Sequence, residues 1–375
     1  MKYRIMPCSG DRISALGFGC MRFPTIDGNI DYDKAEKLIE KAFEGGVNYY
    51  DGAYPYHGGQ AEVFMGHALK GVRDNVFIAT KLPPQQIEKP EDMYRIFDEQ
   101  LKRLATDHVD YYLLHGISDM RVYRKVTGLG LFEFFDRIKK EGRAKHIGVS
   151  SHANESDFKQ IVKSYDYEFV QIQFNYYDVL RQMGIPALEF ARERDLGVIV
   201  MEPQRGGMLS NISDPEKLQL IKGKGTPAEM AFRFVLDRPE VTCVLSGMNQ
   251  MEQVEENLRT FDRFGEGNMS PDDHKALDEI RRMYEEKIQV GCTACGYCMP
   301  CPFGVDIPIS FRCLNDAHMV NHEAGQRTYN VMTNRPGYPD SGAGNCRECG
   351  ACEKKCPQHL EIRKYLKQVK AEFGR

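Results

Sequence analysis

Val76-Phe77-Ile78-Ala79-Thr80-Lys81-Leu82 is a run of β-branched, aromatic and aliphatic residues interrupted by one charge. Such a run reads as a buried strand. Phe77, Ala79 and Lys81 share one face, because side chains alternate along a strand. Lys81 therefore ends the strand pointing inward, where a charge is costly unless it has a partner. Similar runs lie on either side: Ala15–Met21, Asn48–Ala53, Asp110–His115, His146–Ser151, Phe169–Asn175, Gly197–Glu202 and Thr242–Ser246. Between them fall helical patterns at Tyr32–Phe43, Glu91–Leu104, Leu131–Lys140, Glu155–Ser164, Pro186–Arg194, Pro227–Leu236 and Met251–Phe261. Asp31 and the Thr226-Pro227 pair stand where helix starts are expected. Gly45-Gly46 and Gly197 stand at helix-to-strand returns.

Eight strands, nearly all followed by a helix, within about 285 residues is the count of a (β/α)8 TIM barrel. The alternative, an open doubly wound sheet, lacks its G-x-G-x-x-G fingerprint here. Met1–Ser14, with a turn at Gly10-Asp11, reads as a hairpin capping the barrel floor. The full length of 375 residues leaves room for one barrel and a small appendage. Hydrophobic residues at 42% and charged residues at 28% mark a globular chain. A net charge of −4 argues against nucleic acid as a partner. No apolar run approaches the roughly 18 residues that a membrane helix needs. Met1–Pro7 has no apolar core of a signal peptide. Twelve cysteines without an export signal point to a reducing, cytoplasmic compartment.

A barrel's active site lies where its strands end and its loops begin. Asp51 ends the second strand, Tyr56 follows in the loop, Lys81 ends the third strand and His115 the fourth. Asp51 is the expected partner for the Lys81 charge. A tyrosine with its usual pKa near ~10 is a weak acid. A nearby ammonium is expected to lower that value. Tyr56 could then give a proton to a carbonyl oxygen as hydride arrives, with His115 orienting that oxygen. Taken singly, each residue has a plainer role: Asp51 a turn former, Tyr56 a packed aromatic, Lys81 a solvated strand end, His115 a core histidine. Their placement at neighbouring strand tips favours the catalytic reading.

The cysteines change character near residue 285. Nine of them fall in the last 84 residues, and residues 286–375 carry 12 Lys+Arg against 9 Asp+Glu. Cys346, Cys349, Cys352 and Cys356-Pro357 spell C-x2-C-x2-C-x3-C-P, the bacterial ferredoxin run. Cys292, Cys295, Cys298 and Cys301-Pro302 repeat it with a last gap one residue shorter. In two-cluster ferredoxins the cysteine before proline serves the other cluster. That rule gives one [4Fe-4S] cluster Cys292, Cys295, Cys298 and Cys356, and the other Cys346, Cys349, Cys352 and Cys301. Disulfides are disfavoured by compartment, and structural zinc leaves the third cysteine of each run unexplained. Cys313 reads as a buried thiol. Helical patterns at Pro308–His322, Ala324–Tyr329 and Ile362–Phe373 suggest an α-helical ferredoxin-like unit. The expected divisions are residues 1–269 for the barrel, 270–288 for a connecting helix and 289–375 for the iron–sulfur domain.

Over residues 1–265 or so the chain resembles the aldo-keto reductase family, in its branch with a C-terminal two-[4Fe-4S] domain. Ser14-Ala15-Leu16-Gly17-Phe18-Gly19-Cys20-Met21, Asp51-Gly52-Ala53-Tyr54-Pro55-Tyr56, Ile78-Ala79-Thr80-Lys81, Asp110-Tyr111-Tyr112-Leu113-Leu114-His115, Ile147-Gly148-Val149-Ser150 and Gly247 through Asn257 carry the likeness. The resemblance implies a catalytic tetrad of Asp51, Tyr56, Lys81 and His115. It implies that Ser150 and Gln171 hold a nicotinamide carboxamide, with Ser151 in place of the family's Asn. Met201 stands where an aromatic stacks on the ring. Gly247, Asn249, Gln253, Glu256 and Asn257 occupy the adenine-gripping segment. No cation stands at Gly247 or Gln253 to read a 2′-phosphate, which is best read by one, so both NADP and NAD remain open. Arg205 is a substitute reader of that phosphate, or a solvated loop arginine.

The expected activity is NAD(P)-dependent interconversion of a small carbonyl and its alcohol, with the clusters structural or electron-transferring. The alternative is a flavin- or cluster-linked oxidoreductase fed by an external one-electron donor, such as a redox protein partner. Coupling hydride to one-electron clusters generally needs a carrier such as a flavin, and the sequence offers no distinct flavin site. A non-catalytic barrel fits poorly with an intact tetrad.

Overall fold

The computed structural model describes residues 1–118, 120–179, 183–334 and 339–374. Among the described residues eight parallel strands close a barrel. They are β1 (Leu16–Gly19), β2 (Tyr49–Asp51), β3 (Phe77–Leu82), β4 (Val109–Ile117), β5 (Ala144–Ser151), β6 (Phe169–Gln173), β7 (Gly197–Met201) and β8 (Cys243–Ser246). Each strand pairs with its neighbour in sequence, and β8 closes onto β1 with Leu245 opposite Gly17. The (β/α)8 TIM barrel is the architecture expected from the sequence, and helices follow the strands around it.

Local chemistry fixes the helix boundaries. Asp31 accepts a hydrogen bond from the Lys34 N–H and starts the helix Tyr32–Glu44. Thr226 accepts from the Glu229 N–H, and Pro227 opens the helix Pro227–Leu236. Gly46, at φ +89°, turns the chain from the first helix toward β2.

The barrel floor is closed by the expected hairpin, in which Tyr3–Ile5 pairs with Arg12–Ser14. Met6 and Ile13 are fully buried among Tyr49, Tyr111, Phe169 and Cys243. The Arg4 guanidinium donates to the carbonyls of Leu236, Arg238 and Val241 and ties the hairpin to the approach to β8.

The chain divides into two compact units. One comprises Met1–Ser213 and Ile221–His274, the other Asp214–Leu220 and Lys275–Arg375. The division falls within the helix Pro271–Glu285. The second unit is built on the helices Ile307–Met319, His322–Thr333 and Ile362–Phe373. Phe311, Leu314, Tyr329, Leu366 and Val369 form its core, with Cys313 fully buried beside them. The first of these helices stops short of the expected His322, because Asn321 accepts from the Ala324 N–H and caps the next one.

Close approach demands glycine at Gly66, in the helix Gln60–Ala68. A Cβ there would lie 2.6 Å from the Leu104 carbonyl carbon and 2.7 Å from Arg103 O, backbone atoms with little freedom to yield. Gly66→Ala should lower stability by about 1–3 kcal/mol. Gly71→Ala, whose Cβ would meet nothing within 4 Å, should stay within ~0.5 kcal/mol of wild type. Urea unfolding followed by far-UV ellipticity checks both, and equal midpoints for the two variants would contradict the packing described.

Candidate active site and cysteine loops

The C-terminal ends of β2 and β3 bring the expected charges together. Lys81 Nζ donates to Asp51 Oδ1 and to the Gly52 carbonyl, both at 2.6 Å. The two side chains are 1% and 3% exposed. Gln171, on β6, reaches across the barrel and donates to Asp51 Oδ1 at 3.4 Å. Asp51 Oδ2 and Gln171 Oε1 are buried and have no hydrogen-bond partner among the described residues. Burial pushes the Asp51 carboxyl up, against the opposing pull of Lys81 and Gln171.

Tyr56 enters the same mouth from the loop after β2. Its ring centre is 5.4 Å from Lys81 Nζ. It meets the half-buried His115 edge-to-face, with ring centres 5.8 Å apart and planes at 78°. The loop holds this position through His57, Gly58 and Gly59, all at positive φ. His57 Nε2 accepts from the Phe23 N–H at 3.2 Å and so ties the loop after β2 to the loop after β1.

The direction of the Tyr56 ionisation differs from the sequence expectation. Burial pushes the phenol above its usual range, and Asp51, Cys20 and Glu202 push the same way. The Lys81 charge is already satisfied by the carboxylate 2.6 Å away, so little of its field is left to stabilise a phenolate. Both effects favour the neutral phenol at Tyr56.

The remaining groove residues are partly engaged elsewhere. Ser150 is buried at the end of β5, and Met201 is half-buried at the end of β7. Asn257 donates to Ser246 Oγ at 3.0 Å, and Thr226 Oγ1 donates to Glu256 at 2.5 Å. Gln253 Oε1 accepts from the Asn249 N–H at 2.9 Å. Arg205 is not a solvated loop arginine: its Nε donates to Asp178 Oδ2 at 3.1 Å, and its guanidinium lies 4.8 Å from the Tyr177 ring centre. Arg22, absent from the sequence reading, is exposed and lies along Gly247, with its terminal nitrogen 3.7 Å from where a Gly206 Cβ would stand. Its only sequence signal is its place just beyond the first strand.

In the second unit Cys292, Cys295, Cys298 and Cys356 line one cavity with Ile307, Phe311 and Leu360. The two cysteine runs share a backbone conformation. Ala294 and Glu348 both have φ +55°, and Gly296 and Gly350 have φ +76° and +72°. The Ala294 N–H donates to Cys292 Sγ and the Glu348 N–H to Cys346 Sγ, each at 3.4 Å. The shorter last gap of the first run leaves this loop geometry unchanged.

These features, a parallel barrel with a buried Lys–Asp pair beside a phenol and a separate helical cysteine unit, define a class of two-part barrel oxidoreductases. Residues 15–282 match the aldo/keto reductase family, and the chain belongs to it. Residues 291–361 match a 4Fe-4S dicluster domain. The chain is 26% identical over 293 residues to an uncharacterized oxidoreductase, YqkF, of Bacillus subtilis, spanning 69% of this chain and 90% of that protein. It is 26% identical over 313 residues to the L-galactose dehydrogenase of Arabidopsis thaliana, spanning 76% and 95%. Among solved structures it is similar to the holo form of aldo-keto reductase AKR11C1 from Bacillus halodurans, with a TM-score of 0.63, 25% identity and coverage of 74% of this chain and 96% of that one. An aldo-keto reductase from Klebsiella pneumoniae in complex with NADPH shares the fold at a TM-score of 0.62 and 21% identity, covering 75% and 95%. Among the described residues no helix is long and apolar enough to cross a membrane.

Removing one partner from a buried ion pair strands the other. Lys81→Met should cost about 3–5 kcal/mol of stability, and the Lys81→Met/Asp51→Asn double variant should recover part of it. A double-mutant cycle in urea measures the coupling; additive effects would show that the pair does not act as a unit.

Proposed function

We propose that the barrel reduces a small carbonyl compound to its alcohol, and runs the reverse reaction, with Tyr56 as the proton donor or acceptor. The carrying observation is the Tyr56 phenol held in one mouth with His115 and the Lys81–Asp51 pair. A reduced nicotinamide, when bound, supplies hydride. Buried Gln171 Oε1, with no other partner among the described residues, suits the N–H of its carboxamide, and Ser150 lies on the neighbouring strand. Tyr56 gives its proton to the carbonyl oxygen, and His115 Nε2 or Nδ1 orients that oxygen. Lys81, fixed by Asp51 and the Gly52 carbonyl, positions the mouth against which the phenol sits.

NADP is the cofactor this reading favours, since an exposed Arg22 at Gly247 and Gly206 offers a cation to a cofactor phosphate. Arg205 serves instead to hold the loop after β7 through Asp178. Gly247, Asn249, Gln253, Glu256 and Asn257 would frame the adenine end of the cofactor, and Met201 would lie toward its nicotinamide.

In the second unit Cys292, Cys295, Cys298 and Cys356 would hold one [4Fe-4S] cluster, and Cys301, Cys346, Cys349 and Cys352 the other. Matched cysteine loops and the exposed Cys349 also support a second reading, in which electrons pass to the clusters from an external redox protein. No arrangement among the described residues singles out a flavin. Both readings suit a reducing compartment such as the cytoplasm.

Tyr56→Phe should lower carbonyl reduction by about 10²–10⁴-fold, the usual worth of a general acid, while NADPH binding and iron content stay at wild-type levels. Unchanged turnover would remove Tyr56 from the proton-transfer role. Cys349→Ala should lose the iron of one cluster in an anaerobic iron and sulfide assay; full retention would undo the ligand set.

A further inference from the structure

The floor of the barrel carries a group of side chains that the carbonyl chemistry at the opposite end does not use. Cys8 lies in the hairpin turn, His146 near the start of β5, and Glu168 just before β6. One donor atom from each lies within 4.8 Å of the other two. We propose that Cys8, His146 and Glu168 form a binding site for a zinc-class divalent cation that clamps the floor hairpin to the barrel.

The donor types suit such an ion. Thiolate, imidazole and carboxylate are the three side-chain ligands zinc takes, at about 2.0–2.3 Å in tetrahedral array. The three donors are close enough to share one ion after short side-chain movements. The site joins three segments far apart in sequence, as a structural clamp requires.

The surroundings hold the donors in place. The Ile147 N–H at 3.0 Å and Lys139 Nζ at 2.7 Å both donate to Glu168 Oε2. His146 Nδ1 lies 2.9 Å from Glu168 Oε1, and the imidazole packs 5.2 Å from the Tyr111 ring. Asp11 Oδ2 sits 3.8 Å from His146 Nε2 and accepts from the Tyr111 hydroxyl at 2.6 Å. A carboxylate behind a ligating histidine fixes its ring and tautomer; with Glu168 as a ligand, Asp11 is the carboxylate placed for that role. Two carboxylates converge here against the single lysine ammonium of Lys139, so a cation is favoured by charge as well as by donor type.

Binding breaks the Cys8 S–H bond, forms a sulfur–metal bond and releases the proton to solvent. Nothing is oxidised or reduced. A plainer arrangement, a His146–Glu168 hydrogen bond with Cys8 as a bystander, fits the same geometry and predicts no effect of zinc on Cys8.

Because Cys8 is exposed, alkylation reads the site directly. Anaerobic holoprotein is treated with iodoacetamide with and without micromolar Zn²⁺, and the N-terminal peptide is followed by mass spectrometry. Zinc should slow Cys8 alkylation by about tenfold or more, and His146→Gln and Glu168→Gln should each abolish the protection, since loss of one metal contact costs roughly 10–100-fold in affinity. Zinc bound per chain should fall in Cys8→Ser while iron stays constant, which separates this site from the cysteine loops. An alkylation rate indifferent to zinc in the wild type would overturn the proposal, as would protection that survives in His146→Gln.

Discussion

An ammonium and a carboxylate sealed together at the barrel mouth constrain everything around them. Two buried ions lose several kcal/mol of hydration each, and their attraction repays that cost only with good geometry and further hydrogen bonds. Here Lys81 has two acceptors at 2.6 Å, Asp51 and the Gly52 carbonyl. The pair is therefore best understood as a positioning device rather than a source of stability. It fixes the ends of β2 and β3 relative to one another, and with them the loop that carries Tyr56. Burial pushes the Tyr56 phenol up, and Asp51 adds to that push.

The second unit solves a different problem with a different structure. Its three helices bury an apolar core, and the cysteine loops lie on that core without belonging to a sheet. The two loops repeat the same left-handed residues at the same spacing. Backbone conformation is costly to hold at positive φ in Ala294 and Glu348, so its repetition in two loops points to a shared demand, which cluster ligation supplies. Hydride moves two electrons and a cubane takes one, so the two units need not work on the same electrons.

The barrel was highly legible because its strands are short, fully buried runs separated by amphipathic helices. Even the floor hairpin follows from the Gly10-Asp11 turn. The helix Gln60–Ala68 is harder to see, since Ala61, Glu62, Phe64, Met65 and Gly66 are all buried and leave no clear period. At the site, strand-tip placement drew attention to Asp51, Lys81 and His115. What the sequence could not carry was which charge is spent on which. Arg205 looks free in one dimension and is bound to Asp178 in three. Arg22 looks incidental and lies against Gly247. Lys81 is near Tyr56 as expected, yet its partner cancels the effect expected of it. Such pairings depend on contacts between loops, and one sequence does not encode those in any local pattern.

The central claim is that this mouth transfers hydride to a carbonyl carbon while a neutral phenol protonates the oxygen. Anaerobic protein supplied with nicotinamide cofactor deuterated at the transferable position, and with a small aldehyde, tests it by mass spectrometry of the alcohol. The account predicts one deuterium retained on the carbinol carbon in each product molecule. Alcohol formed with hydrogen from solvent at that carbon would mean that electrons arrive singly, and would contradict it.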